Sequence, residues 1–136
     1  MKLAVLGAGA WGTAVAAHAC RSQATWLWAR DPSQAAAIEA QRRNDRYLPE
    51  VVLPEALRVT ADFDAALAGA DLVLIATPMA ALDAVLRRLP PAAAPVLWLC
   101  KGFQEGTGWL GHEVARDASP HARVGVLSGP SFAIEV

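Results

Sequence analysis

A glycine-rich hexapeptide that directly follows a short apolar run limits the possible folds of this chain more than any other feature. The hexapeptide, Gly7-Ala8-Gly9-Ala10-Trp11-Gly12, has the pattern G-x-G-x-x-G and comes after the run 2–6. The run predicts a strand buried on both faces, and the alanine-rich stretch 13–21 predicts a helix. A glycine pattern between a strand and a helix is typical of a turn that holds a diphosphate, so the sequence predicts a dinucleotide-binding unit.

Each glycine of the hexapeptide has its own predicted role. Gly7 makes the tight turn, Gly9 lets the backbone approach the diphosphate, and Gly12 lets the helix pack closely on the strand. The N-terminus of the helix adds free N–H groups and a positive potential. A turn that is merely rich in glycine is the alternative, but the strand before it and the helix after it favour the dinucleotide.

The rest of the chain alternates short apolar strands with helices. The predicted strands are 2–6, 25–30, 57–60, 71–76, 96–100 and 124–127, and the predicted helices are 13–21, 32–43, 62–68, 79–89 and 108–118. This alternation predicts an α/β fold with a doubly wound parallel sheet of the Rossmann type, in the strand order 3-2-1-4-5-6. One dinucleotide-binding domain is expected over 1–136, with an irregular segment at 44–57, and its ligand is expected at the carboxyl ends of strands one and four.

Composition and charge exclude several other classes of function. Twelve basic and thirteen acidic residues give a net charge of −1, and the arginines form no basic stripe, so nucleic acid is not an expected partner. No uncharged stretch is long enough to span a membrane, and no secretory signal is present, which predicts a cytoplasmic protein. The two cysteines, Cys20 and Cys100, are expected to be reduced core residues. The histidines have no partners at ligand spacing, so no metal site is predicted.

The end of strand two is expected to contact the adenosine ribose of the cofactor. Arg30 and Asp31 stand there, and Asp31 is also a candidate cap for the helix that begins at Pro32. If Asp31 caps the helix, Arg30 faces the ribose, which slightly favours NADP over NAD because a guanidinium suits a 2′-phosphate. An ordinary surface arginine is the alternative. Arg42, with its neighbours Arg43 and Arg46, is interpreted as a solvated helix end.

Two motifs at the same edge of the sheet are candidates for substrate binding. Lys101, one of only two lysines, follows strand five and precedes Gly102, so its ammonium is a candidate ligand for a substrate oxygen. A solvated loop lysine is the alternative. The segment Ser128-Gly129-Pro130-Ser131-Phe132-Ala133 follows strand six and presents hydroxyl groups at that edge, although taken alone it could be a plain turn.

Taken together, these motifs resemble the amino-terminal part of bacterial NAD(P)-dependent glycerol-3-phosphate dehydrogenases. The resemblance covers all 136 residues. It rests on the glycine hexapeptide with Thr13-Ala14, and on Leu27-Trp28-Ala29-Arg30, Asn44-Asp45-Arg46-Tyr47-Leu48-Pro49, Cys100-Lys101-Gly102 and Leu127-Ser128-Gly129-Pro130-Ser131-Phe132-Ala133. Their joint occurrence in this order is far more specific than the glycine pattern alone.

The resemblance implies an oxidoreductase that reduces dihydroxyacetone phosphate to sn-glycerol 3-phosphate with NADPH or NADH, for glycerophospholipid synthesis. It implies cofactor contacts at Ala10, Trp11, Arg30, Tyr47, Lys101 and Ala133, and substrate contacts at Lys101, Gly129 and Ser131. The family takes its catalytic lysine from a later, all-helical domain, so no catalytic residue is expected in this chain. A truncated cofactor domain with little or no turnover by itself is expected, and a homodimer is possible for the full-length enzyme.

Two other functions remain open at this point. One is a related dehydrogenase with another substrate, because the same architecture serves many substrates. The other is a free-standing, non-catalytic module that binds or senses NAD(P).

Overall fold

The computed structural model describes residues 1–91 and 94–128, which form one parallel sheet with helices on both faces. The strands are β1 (Lys2–Leu6), β2 (Ala24–Trp28), β3 (Arg58–Thr60), β4 (Leu72–Ile75), β5 (Val96–Trp98) and β6 (Val124–Val126). The helices are α1 (Ala10–Ala19), α2 (Pro32–Gln41), α3 (Phe63–Leu67), α4 (Met79–Arg88) and α5 (Gly111–Ala118).

The six strands pair in parallel in the order β3-β2-β1-β4-β5-β6, which confirms the predicted topology. The chain winds from β1 outwards to β3 and then crosses back to β4. The carboxyl ends of β1 and β4 are therefore neighbours, with Leu6 opposite Ile75. This junction is the point at which a doubly wound sheet opens a crevice for a ligand.

The sheet has a separate apolar core on each face because its strands are buried on both sides. One core packs Leu3, Val5, Leu27 and Leu74 against α1 and α2. The other packs Leu6, Trp28, Val73 and Ile75 against α3, α4 and α5. Short apolar runs without a polar face are what such a sheet requires. Among the described residues, no helix is long and apolar enough to cross a membrane.

Most helix boundaries differ by one to three residues from the sequence prediction, and three of these differences have a visible cause. The first helix begins at Ala10, not at Thr13, because Gly9 already serves as its N-cap in extended conformation and Gly12 lies inside the first turn. The second helix ends at Gln41, because Arg42 adopts a left-handed conformation with φ 55°. The last begins at Gly111, not at Gly108, where the Glu113 carboxylate accepts the Leu110 N–H at 2.8 Å.

The interpretation of Arg42 as a solvated residue is wrong. Its guanidinium donates to the carbonyl oxygens of Pro54 at 2.9 Å and Leu57 at 2.8 Å, and it pairs with Glu39 at 3.0 Å. Its own carbonyl accepts the Leu53 N–H at 2.7 Å. These bonds close the irregular segment between α2 and β3 into a compact loop, so a residue that resembles a solvated helix end shapes the loop instead.

Candidate functional site

The turn after β1 brings the backbone into contact with the turn after β4. Gly7 has φ 118°, and its N–H donates to the Trp28 carbonyl at 2.9 Å. A Cβ at Gly7 would lie 2.8 Å from the Ala76 carbonyl carbon. Both the left-handed conformation and the close backbone contact require glycine at this position.

Gly12 lies where α1 comes closest to this turn. A Cβ on Gly12 would overlap the carbonyl oxygen of Gly7 and would stand 3.0 Å from the Ala76 Cβ. Since the neighbouring atoms are mostly backbone, no rotamer change could relieve the overlap. The glycine therefore allows α1 to start directly above the junction of β1 and β4.

The first turn of α1 presents backbone donors to an open space. Gly9 caps the helix without any side-chain hydrogen bond, and a Cβ at this position would meet no atom within 4 Å. Thr13 is the first residue of the helix whose N–H bonds inside it, to the Gly9 carbonyl at 3.0 Å. The preceding N–H groups and the helix dipole together form a suitable environment for an anion such as a diphosphate.

A cleft of 1020 Å³ begins at this turn and continues over the carboxyl ends of β2, β4 and β5. Its wall contains most of the residues predicted as cofactor contacts: Gly7, Gly9, Ala10, Trp11, Arg30, Tyr47 and Lys101. Gly12 lies behind the wall. The structure thus brings the predicted positions together, and their individual contacts with a cofactor remain predictions. Gly129, Ser131 and Ala133 lie outside the described residues.

At one end of the cleft, the hydrogen bond of Asp31 determines whether Asp31 or Arg30 faces the cleft. The Asp31 carboxylate accepts the Ser33 N–H at 2.9 Å and so caps α2. Arg30 is exposed and lines the cleft. This arrangement meets the condition under which Arg30 is predicted to face the ribose.

The rim near Arg30 is formed by Tyr47, which projects from the loop between α2 and β3. Tyr47 is 43% exposed, and the guanidinium carbon of Arg46 lies 5.0 Å from its ring centroid. The loop is attached to the glycine turn by Asn44, whose side-chain amide donates to the Ala8 carbonyl at 2.9 Å and to the Thr13 hydroxyl at 2.8 Å. Gln34 also donates to the Ala8 carbonyl, at 3.3 Å.

The wall on the other face of the sheet is aromatic and cationic. Trp28 and Phe63 meet edge to face with ring centroids 5.1 Å apart. The guanidinium carbon of Arg88 lies 4.1 Å from the Phe63 centroid and 5.8 Å from that of Trp28. All three side chains line the cleft. A cation over an aromatic face in this position gives the wall a positive edge.

The end of β5 carries the second polar part of the cleft. Lys101 is exposed and lines the cleft beside Cys100. The Cys100 sulfur lies 3.9 Å from the Thr77 hydroxyl oxygen, and burial raises the pKa of this thiol. Cys20 and Cys100 are both free thiols; Cys20 is buried, whereas Cys100 is only partly so. No group of three potential metal ligands occurs in the described part of the chain.

Four residues that shape this site have no role in the sequence prediction. They are Gln34, Asn44, Phe63 and Arg88. Asn44 is part of a motif on which the resemblance rests, and it carried a signal that was not used: a polar amide in a short segment with two prolines. Phe63 and Arg88 carried none, because their meeting depends on side-chain direction across two helices.

The parallel sheet, the glycine turn at the switch from β1 to β4 and the cleft above it define a Rossmann-type dinucleotide-binding domain. Over residues 2–136 the sequence matches the family described as the N-terminus of NAD-dependent glycerol-3-phosphate dehydrogenase. The chain belongs to this family, which confirms the resemblance found in the sequence.

Known proteins of this family are similar to the whole chain. The chain is 60% identical to glycerol-3-phosphate dehydrogenase [NAD(P)+] of Methylibium petroleiphilum and 56% identical to that of Leptothrix cholodnii, and all of it is covered in both. It spans 42% and 44% of the length of these curated relatives. A crystal structure of glycerol-3-phosphate dehydrogenase from Coxiella burnetii matches 98% of this chain with a TM-score of 0.90 and 36% identity, over 42% of that protein. The predicted cofactor class, NAD or NADP, agrees with these names.

Proposed function

We propose that the chain binds NADP or NAD in the cleft and forms the cofactor half of an oxidoreductase that interconverts dihydroxyacetone phosphate and sn-glycerol 3-phosphate. The observation that carries this proposal is the composition of the cleft wall. Its described residues include three cations, Arg30, Arg88 and Lys101, and no carboxylate. Such a wall is complementary to a dinucleotide and to a substrate that both carry phosphate groups.

Each polar part of the cleft has a role in this proposal. The N–H groups at the start of α1 hold the diphosphate, Arg30 with Tyr47 holds the adenosine end, and Lys101 directs its ammonium towards a substrate oxygen near the nicotinamide. The bound reduced nicotinamide supplies the hydride for the ketone carbon. Gly129 and Ser131 are proposed to bind substrate, and Ala133 to contact the cofactor.

The cleft also suggests what this chain lacks for turnover. No imidazole and no carboxylate is found among its described lining residues, so the alkoxide formed by hydride transfer has no such proton donor there. The proposal assigns proton donation, phosphate binding and the exclusion of water to the part of the relatives that this chain does not match. Little or no activity is therefore expected from residues 1–136 alone.

Three further parts of the proposal concern the whole enzyme. Its product feeds glycerophospholipid synthesis, its location is the cytoplasm, and its full-length form is a homodimer. The names of the relatives support the reaction.

A non-catalytic NAD(P)-binding module is the second candidate function. The same absence of an imidazole and a carboxylate among the described cleft residues favours it. Activity separates the two candidates: the protein extended to the length of its relatives should reduce dihydroxyacetone phosphate with NADPH if the chain is part of the enzyme. An extended protein that binds NADPH but does not oxidise it with this substrate would favour the module.

Titration of the protein with NADPH in a calorimeter tests the assignment of the glycine turn. Gly9→Asp places a carboxylate where the diphosphate should lie, and we expect at least a hundredfold loss of affinity because two like charges would meet at close range. The fold should survive, since the space around Gly9 is open. Gly106→Asp is the matched control, because Gly106 also has open surroundings but lies outside the cleft wall. A folded Gly9→Asp protein with wild-type affinity would contradict the assignment.

A further inference from the structure

Behind the cleft wall lies a buried polar pair that connects three separate segments. Asn44 is 1% exposed and Thr13 is fully buried, and neither lines the cleft. Thr13 belongs to the first turns of α1, whereas Asn44 lies 31 residues later in the loop between α2 and β3. Buried polar side chains are costly unless their hydrogen bonds are formed, so this pair fixes the relative position of the segments it joins.

The Asn44 amide nitrogen uses its two hydrogens on two different partners. It donates to the Thr13 hydroxyl oxygen at 2.8 Å and to the Ala8 carbonyl oxygen at 2.9 Å. Ala8 lies between the first two glycines of the hexapeptide and is itself buried. Loss of the amide would leave this carbonyl with only the longer bond from Gln34, at 3.3 Å.

The carbonyl that Asn44 binds belongs to the same peptide group as the Gly9 N–H. A donor on the carbonyl oxygen polarises the peptide and makes its N–H a stronger donor, because hydrogen bonds in a chain reinforce one another. The bond also fixes the plane of this peptide, and with it the direction of the Gly9 N–H. An amide that never reaches the cleft therefore acts on the group that meets the diphosphate.

The backbone of Asn44 fixes the short turn that carries Tyr47. Its carbonyl accepts the Leu48 N–H at 2.8 Å, and these two residues form an isolated antiparallel bridge. Leu48 is buried, and the turn carries Tyr47 to the rim of the cleft. Asn44 thus holds the glycine turn through its side chain and the Tyr47 turn through its backbone.

We propose that Asn44 is a positioning residue for the dinucleotide, which orients the Ala8–Gly9 peptide towards the diphosphate and couples it to the Tyr47 rim. This inference rests on the proposed function for the identity of the ligand. Without the side-chain amide of Asn44, the glycine turn becomes less ordered. The affinity for the diphosphate then falls more than the affinity for the ribose end of the cofactor.

The first test measures ligand affinity with two probes. Asn44→Ala should bind NADPH about tenfold more weakly, the loss expected when a buried acceptor loses its partner. Adenosine 2′-monophosphate lacks the diphosphate, and Asn44→Ala keeps the backbone bond to Leu48 that holds the Tyr47 turn, so the affinity for this probe should change by less than about twofold. Asn44→Asp should lose more than Asn44→Ala, because a buried carboxylate would repel the Ala8 carbonyl oxygen as well as failing to donate to it. Gln41→Ala is the matched control, because it removes an exposed amide three residues away.

The second test does not depend on a ligand. Amide hydrogen exchange in the unliganded protein should accelerate about fivefold or more in Asn44→Ala for the two protected amides that flank the turn, those of Gly7 and Thr13, which are bonded to the carbonyls of Trp28 and Gly9, because the turn opens more often. Exchange in β4, which Asn44 does not contact, should stay unchanged. Thr13→Ser keeps the hydroxyl acceptor and should behave as wild type, whereas Thr13→Val should show part of the effect.

Several outcomes decide the matter. Equal NADPH affinity in Asn44→Ala and wild type, or equal losses for the two probes, would overturn the positioning role, and so would unchanged exchange of the Gly7 and Thr13 amides. If Asn44→Ala does not fold, Gln34→Ala and Thr13→Val must each weaken NADPH by about twofold or the inference fails. Failure of the wild-type protein to bind NADPH would instead overturn the proposed function, while exchange would still decide whether Asn44 orders the turn.

Discussion

The glycine turn after β1 and the loop between β5 and α5 both lie at the ligand edge of the sheet, but they use glycine in different ways. In the turn, a Cβ on Gly7 or Gly12 would meet backbone atoms. In the loop, Gly102 and Gly106 have positive φ angles and open surroundings. Larger residues are thus excluded from these two positions of the turn by contact between chain segments. In the loop, they are disfavoured only by the positive φ angles of the backbone. Substitution of Gly7 or Gly12 should therefore affect folding, whereas substitution of Lys101 in the loop should affect chemistry.

The largest expected effect is the loss of folding in Gly12→Val. The branched side chain would overlap the Gly7 carbonyl, which belongs to backbone that cannot move without separating β1 from β4. We expect the free energy of unfolding in urea to fall by about 3 kcal/mol or more. Gly106→Ala is the control in the loop and should cost only about 1 kcal/mol, for its left-handed conformation. Similar losses for the two variants would remove the distinction between the regions.

Lys101→Ala tests whether a substitution in the loop between β5 and α5 affects chemistry and not folding. In the protein extended to the length of its relatives, we expect kcat/KM for dihydroxyacetone phosphate to fall by about a hundredfold, the usual effect of removing one group that stabilises a developing oxyanion. The midpoint of urea unfolding should not change, because the side chain is exposed. Lys101→Arg should recover the activity only in part, since its wider planar group replaces a compact ammonium. Unchanged kcat and KM in Lys101→Ala would exclude the lysine from the substrate site.

Arg30→Ala tests whether the rim of the cleft distinguishes NADPH from NADH. We expect NADPH affinity to fall by about 1 to 3 kcal/mol, with a smaller loss for NADH, because only NADPH carries a 2′-phosphate for the guanidinium. Calorimetry with both cofactors measures the difference. Equal losses would show that Arg30 stacks on the adenine, and no loss would show that it is an ordinary surface arginine.

The smallest expected effect concerns Cys100, at the boundary between β5 and the loop. Burial raises the pKa of this thiol, so near pH 8 it holds less of the reactive thiolate than an exposed cysteine does. Alkylation by iodoacetamide should be a few times slower than for a free thiol, and should accelerate as the pH rises through the raised pKa. NADPH should slow it further, since Cys100 lines the cleft. Cys100→Ser identifies the reacting residue; an alkylation rate equal to that of free cysteine would contradict the burial argument.

Much of the fold could be predicted from the sequence because a parallel sheet buries whole strands. Runs such as 2–6 and 72–75 have no polar face, and this pattern together with the intervening helices was enough for the strand order. The helix ends were harder to predict. Local preferences disfavour Gly12 inside α1, and they disfavour a left-handed conformation at Arg42. Contacts with other parts of the chain impose each of these two features.

The candidate site shows the same division. The glycine turn, Arg30 and Lys101 were predictable, because each stands just after a strand and the fold places all such positions at one edge. The hydrogen bonds of Asn44 and the stacking of Arg88 on Phe63 were not. They depend on the direction of side chains that are 36 and 25 residues away from their partners, which no local pattern encodes.

The bond from Arg42 to the Leu57 carbonyl closes a loop of fifteen residues. The entropy lost on closing a loop rises only with the logarithm of its length, so that doubling the length costs about 0.6 kcal/mol more. The exposed stretch between the buried Leu48 and Leu53, in which Val52 is 66% exposed, could therefore gain residues at little cost while the Leu53 N–H keeps its bond to the Arg42 carbonyl. Natural variation in length can accumulate in this stretch without disturbing the cleft.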